Sequence, residues 1–214
     1  LPIIGEEARR WLAGNIDRQQ APALRMIRAM VLVRARFAED ELLAAVHQGT
    51  SQYVILGAGL DTFAYRCAHL AGRLTIFEVD YPATQARKRA RLAEAGIAEP
   101  AHVRYVPIDF NEQSLGECLA AAGLRRDEPA FFSWLGVIYY LERKPIEKTF
   151  RFIASHGSRS QVVLDFGIAE SALPVGLRHV WARVNQHMAR TGEPWQTWFT
   201  PDELTRELRA IATA

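Results

Sequence analysis

The sequence predicts an α/β fold on a doubly wound, mostly parallel sheet, and three observations carry that reading. Short apolar runs recur along the chain at residues 52–56, 73–79, 103–108, 130–134 and 161–166. Helical patterns fall between them, near Tyr65 and at residues 82–95, 112–122 and 144–155. The first run enters a glycine turn, Val54-Ile55-Leu56-Gly57-Ala58-Gly59-Leu60-Asp61-Thr62. Strands alternating with helices are βαβ units. Continuous rather than alternating apolar strands are expected when helices cover both sheet faces.

The elements follow in order. Residues 21–47 carry helical periodicity, with Met26, Met30, Val33, Phe37 and Leu42 spaced by three to five. Beyond residue 169 the pattern is helical and aromatic, with Trp181, His187, Trp195, Trp198 and Phe199. Residues 169–200 read as a lid insertion. A last helix opens at Thr200-Pro201-Asp202-Glu203, with Thr200 as N-cap, Pro201 at the first helical position and Glu203 completing a capping box. Neither repeats nor low-complexity linkers divide the chain, so residues 1–214 are expected to form one domain. The chain begins at Leu1 and stops just after the last helix, and truncation at both ends is expected.

Composition narrows the function classes. At 214 residues, 49% hydrophobic, the chain can bury a sizeable core. A net charge of +2 is too mild for a basic stripe, so no nucleic-acid partner is expected. Cys67 and Cys118 lack metal-ligand spacing and isolated histidines (His156, His179, His187) make no triad, so neither a disulfide framework nor a metal site is expected. The absence of a long apolar run argues against a membrane span, and a reducing, cytoplasmic setting is expected.

The glycine turn is a nucleotide-type cofactor signal with one informative defect. A dinucleotide fingerprint starting at Gly57 needs glycines at 57, 59 and 62, and position 62 is Thr. Gly57 and Gly59 still allow a tight turn and close backbone approach. The packing that presents a pyrophosphate is not provided for. A cofactor with an adenosine but no phosphate fits better, and S-adenosylmethionine is the common one.

Acids at the strand ends support such a site. Asp80 follows Gly59 by 21 residues, near the spacing at which a carboxylate meets ribose hydroxyls. Glu78 points the same way as Asp80 by strand alternation. Asp109 and Phe110 end the third strand and suit an adenine, one by hydrogen bonding and one by covering the ring. Arg34 and Arg36, on the helix before the first strand, are candidates to neutralise an amino-acid carboxylate. The loop after the fourth strand, through Gly136, Tyr139 and Tyr140, should lie beside the reacting methyl group, with either tyrosine orienting a substrate. The run Arg87-Lys88-Arg89 with Arg91 reads as a solvated helix face.

Together, the run 54–62 with Tyr65-Arg66, the step Glu78-Val79-Asp80-Tyr81-Pro82 followed by Lys88-Arg89, and the loop 133–141 resemble the leucine carboxyl methyltransferase-like family, in its bacterial branch. The resemblance covers about residues 24–208. It implies a class I methyltransferase (Rossmann-like) fold with helical lid additions and S-adenosyl-L-methionine as cofactor. It also implies that Arg34 grips the methionine carboxylate, Gly57 is the first cofactor glycine, Asp80 holds the ribose, and Asp109 and Phe110 hold the adenine. One departure stands out. The eukaryotic protein-methylating branch has an acid where this chain has Leu135, which weakens the case for a protein C-terminus as acceptor.

The expected function is O-methylation of a carboxylate or hydroxyl on a small molecule. A carboxylate needs no general base, whereas a phenol or alcohol does, and no convincing base is visible. Two rivals remain: a cofactor-binding module without transfer, and an NAD(P)-dependent oxidoreductase, against which Thr62 speaks.

Overall fold

The computed structural model describes Arg10, Gly14 and residues 22–110, 112–190 and 194–213. A long first helix, α1 (Pro22–His47), leads into β1 (Gln52–Leu56), the glycine turn and a single helical turn, α2 (Phe63–Arg66). Then come β2 (Thr75–Asp80), α3 (Pro82–Glu94), β3 (Val103–Pro107), α4 (Leu115–Ala121), β4 (Ala130–Trp134), α5 (Arg143–Ala154) and β5 (Gln161–Leu164). Two further helices close the chain, α6 (Val175–Arg190) and α7 (Pro201–Ala212). The five strands form one sheet in the order β3-β2-β1-β4-β5, and every pairing is parallel. β1 is central, and the strand order reverses between it and β4. The open crevice of a doubly wound sheet lies at that switch point.

All five residues of β1 are buried, which explains why its sequence does not alternate. Tyr53 and Ile55 face one layer, with Leu42, Phe63, Leu70, Ile76 and Phe131. Val54 and Leu56 face the other, with Phe77, Leu119, Phe132, Trp134, Phe150 and Leu204. α1 and α2 cover the first face, and α4, α5 and α7 the second. The Thr200 cap forms as its sequence predicts, its hydroxyl accepting from Glu203 N–H at 3.2 Å and Glu203 reaching back to Thr200 N–H at 2.8 Å.

Two expectations need correction and one is refined. First, β2 begins at Thr75 rather than residue 73, because Arg73 and Leu74 N–H both close a turn on the Leu70 carbonyl. Second, the stripe Met26, Met30, Val33 and Phe37 forms a helix as expected but is exposed, and only from Ala38 and Leu42 does α1 enter the core. Third, Lys88 is not on a solvated face. It is 1% exposed and pairs at 2.6 Å with Glu78, itself 1% exposed, on β2. Gln85 donates to the Glu78 carbonyl, and the Lys88 ammonium lies over the Tyr65 ring at 5.5 Å. The aligned packing of α3 on the sheet therefore depends on an ion pair taken out of water.

Burial raises the Glu78 carboxyl to about 7, against the pull of Lys88. An acid whose folded pKa is raised binds its proton more tightly in the folded state. Its contribution to stability is therefore full below the unfolded value, near 4.5, and is lost as pH rises through about 7. Glu78→Gln should flatten that decline in urea-unfolding curves recorded from pH 5 to 8. Lys88→Met leaves a buried carboxylate without its partner and should cost about 3–5 kcal/mol in the same assay at neutral pH.

Candidate active site

The site is built where β1 stops. The Val79 carbonyl on β2 accepts from Gly57 N–H at 2.8 Å and from Ala58 N–H at 3.0 Å, so the backbone leaves the sheet there. Gly57 has φ +74° and Gly59 φ +49°, a region that costs a side-chain-bearing residue about 1–2 kcal/mol. A Cβ on Gly57 would also collide with Val137 of the loop after β4. Above Gly59 the space is open: an added Cβ would meet nothing nearer than the Gly57 carbonyl at 4.0 Å. Gly59 N–H donates to the Asp80 carboxylate, whose other oxygen accepts from Tyr81 N–H at 2.7 Å. Each oxygen is used once, so acceptor capacity remains on both.

The turn ends in α2, only four residues long. Thr62 is its N-cap and makes no side-chain cap bond, but the preceding Asp61 reaches the helix start, its Oδ1 accepting from Phe63 N–H at 2.7 Å. Burial pushes the Asp61 carboxyl up from its ordinary range. One of the N–H groups a phosphate would seek at this helix start, that of Phe63, is thus already taken.

A cavity of about 350 Å³ runs between α1 and the ends of β1 and β4, walled by Arg34, Gly57, Asp61, Ser133 and Leu135 among others. Arg34, 31% exposed, forms an ion pair with Asp165, 25% exposed, just past β5. Asp165 also accepts from Gly136 N–H at 2.6 Å. Gly136 sits at φ +76°, and a Cβ there would lie 2.8 Å from the Arg34 guanidinium. Burial works against the Arg34 charge, but Tyr139 and Asp165 outweigh it and hold the guanidinium above its ordinary range. Burial likewise raises the Tyr139 phenol, with Arg34 pulling the other way. Tyr139 is therefore a protonated donor near neutral pH and not a base.

Most of the sequence-derived candidates converge. Arg34 and Gly57 share the cavity wall, and Gly59 and Asp80 are joined by a hydrogen bond. Asp109 and Phe110 follow β3, where Ile108 N–H donates to the Asp80 carbonyl at 2.9 Å. Phe110 also opens onto a separate, larger cavity of about 720 Å³ between α4 and α5, which does not include Arg34, Gly57 or Asp80. Arg36 is not brought in: it is 74% exposed and pairs with Asp40 one turn on. Tyr140 meets the Tyr139 ring edge-on, with centroids 4.8 Å apart. Glu78 is a structural partner of Lys88 instead of a site residue. The sequence reading missed Asp61 and Asp165. Asp61 could have been found from its place as the acid closing the turn, whereas nothing local marks Asp165.

An aromatic wall stands beside Tyr139. Its ring meets Trp195 at 4.8 Å, and Trp181, Trp195 and Trp198 lie 5.1–5.3 Å from one another. Gln196 N–H donates to the Tyr139 carbonyl at 2.6 Å, tying this segment to the loop. The His187 side chain lies outside the described residues. His156 is packed between Phe132 and Phe152, and no cluster of potential metal ligands occurs among the described residues. No described helix is long and apolar enough to cross a membrane. Cys67 and Cys118 are free thiols.

The strand order, with a cavity at the ends of β1 and β4, defines the class I methyltransferase fold. An O-methyltransferase family protein from Burkholderia thailandensis shares that fold at a TM-score of 0.58, with 13% identity, covering 98% of this chain and 65% of that one. The sequence profile of leucine carboxyl methyltransferase matches residues 3–154, and this chain belongs to that family. YktD of Bacillus subtilis (strain 168), named as a proposed S-adenosyl-L-methionine-dependent methyltransferase, is 35% identical over 180 residues, which cover 84% of this chain and 59% of YktD. A similarly named protein of Parafrankia sp. (strain EAN1pec) is 39% identical over 149 residues, 68% of this chain and 47% of its own. The chain thus spans about half the length of these curated relatives.

Gly57→Ala should destabilise the fold by more than the about 1–2 kcal/mol of its backbone conformation alone, because the new methyl group meets Val137. In a double-mutant cycle by urea unfolding, Val137→Ala should recover the collision and leave the backbone cost.

Proposed function

We propose that this chain is an S-adenosyl-L-methionine-dependent methyltransferase that methylates an oxygen, carboxylate or hydroxyl, of a small molecule. The observation that carries the proposal is the pairing of an open glycine turn with a helix start whose first N–H, that of Phe63, is already bonded to Asp61. That pairing admits an adenosine and takes up one of the N–H groups a pyrophosphate would use. The residues present fit the cofactor. Asp80 keeps acceptor capacity for ribose hydroxyls, Asp109 and Phe110 stand at the next strand end for the adenine, and Arg34 walls the cavity for a carboxylate. The names of the curated relatives support the same cofactor.

When bound, the cofactor would supply an activated methyl group on its sulfonium, with the acceptor oxygen held in line with it. The protein's task is then positioning, and orientation of this kind is worth up to about 7–11 kcal/mol. A carboxylate acceptor is favoured, since it is already ionised at neutral pH and Tyr139 stays protonated. Tyr139 donates to and orients the acceptor. Residues 169–200, carrying Trp181, Trp195 and Trp198, act as a lid that excludes water and shapes an apolar pocket. The setting is cytoplasmic, and neither nucleic acid nor membrane is a partner.

Calorimetric titration tests the reading. S-adenosylmethionine and S-adenosylhomocysteine should bind at micromolar affinity and NAD should not. Asp80→Ala and Arg34→Ala should each weaken cofactor binding at least tenfold, in line with the loss of a charge-assisted hydrogen bond. Binding by NAD, or unchanged affinity in both variants, would sink the assignment. Cofactor binding without product in an acceptor screen would instead favour a binding module.

A further inference from the structure

We infer that Asp165 is the counter-charge for the α-ammonium group of the cofactor, so that Arg34 and Asp165 together read a zwitterion. The inference rests on the cofactor reading above. An amino-acid head carries one positive and one negative group on a single carbon, and a site that selects it needs one charge of each sign a few ångströms apart. Arg34 and Asp165 already stand as such a pair. Both are partly exposed, so an incoming solute can reach them. The Gly136 N–H fixes one Asp165 oxygen at 2.6 Å, which holds the carboxylate at the loop after β4.

The other acids near the turn stand away from Arg34. Asp61 accepts from Phe63 N–H, Asp80 lies at the end of β2 with its remaining acceptor capacity assigned to the ribose, and Glu39 pairs with Arg66. The loop itself supplies no charge where it meets the cavity, because the residue before Gly136 is Leu135. The negative partner must then come from the neighbouring strand end, and Asp165 is the carboxylate in contact with Arg34 there. The exchange is charge-neutral. One contact between guanidinium and carboxylate gives way to two, Arg34 to the ligand carboxylate and Asp165 to the ligand ammonium, so no uncompensated charge is buried. Asp165 is thereby a binding residue for the cofactor, and it also holds Arg34 in place before the cofactor arrives.

The test titrates the 214-residue chain with S-adenosylhomocysteine and with its analogue lacking only the α-amino group. The wild-type chain should bind the analogue at least tenfold more weakly. Asp165→Asn should weaken S-adenosylhomocysteine at least tenfold and bind the two ligands about equally. Asp165→Ser, which keeps an acceptor for the Gly136 N–H without the charge, should behave the same way and serves if Asp165→Asn does not fold. A merely structural Asp165 would weaken both ligands together and preserve their ratio, which would overturn the inference. Equal wild-type affinity for the two ligands would overturn it as well and leave the cofactor reading standing. No binding of either ligand to the folded chain would overturn both.

Discussion

The Val79 carbonyl is the acceptor on which the site depends. By taking both Gly57 and Ala58 N–H, it ends the β1 ladder and turns the chain out of the sheet at one fixed point. The turn then has nowhere to go but over the end of β2, which brings Gly59 N–H onto Asp80. Gly57 is held against Val137 from the other side, so the loop after β4 is set by the same residue. A parallel sheet makes this possible, since adjacent strands end together and their loops share one edge.

Around that edge the two layers do different work. The face of the sheet under α4, α5 and α7 is a continuous apolar core, running from Val54 and Leu56 through Trp134 and Phe150 to Leu204. The face under α1 and α3 mixes apolar packing with buried and half-buried polar pairs. Glu78 meets Lys88, the Tyr53 hydroxyl meets Ser133 at 2.9 Å, and the Tyr65 and Tyr105 hydroxyls meet at 2.6 Å. Such pairs add little net stability over apolar substitutes but are costly to break singly. Tyr53 and Ser133 also line the cavity, where geometry matters more than adhesion.

What could be read from the sequence follows from the range of the forces involved. β1 and β4 were legible to the residue because both faces are covered and every position is apolar or buried. The cap at Thr200 was legible because its whole chemistry lies within four residues. Arg73 was misplaced in a strand because the Leu70 carbonyl that captures it belongs to a turn with no strong sequence mark. Lys88 was misread because its neighbours are basic and its partner sits ten residues back on another element. The cofactor-site candidates were visible as strand ends, yet Asp165 was not, since 131 residues separate it from Arg34. Helical periodicity found α1 but could not tell which side of its apolar stripe would meet protein, and Met30 and Phe37 meet none of the core.

Asp61 bears on the selectivity of the proposed site in a way that glycine counting does not describe. Cells hold adenine nucleotides with di- and triphosphate tails at high concentration, and these share the adenosine of the proposed cofactor. Such a tail seeks free backbone N–H groups at a helix start. Here the oxygen of Asp61 occupies the Phe63 N–H, and the helix behind it is one turn long, too short to add an appreciable field. The chain thus carries its own carboxylate at one of the N–H groups a phosphate would take. Under the proposed reading, discrimination against phosphorylated competitors begins before any ligand arrives, as a consequence of how a four-residue helix starts.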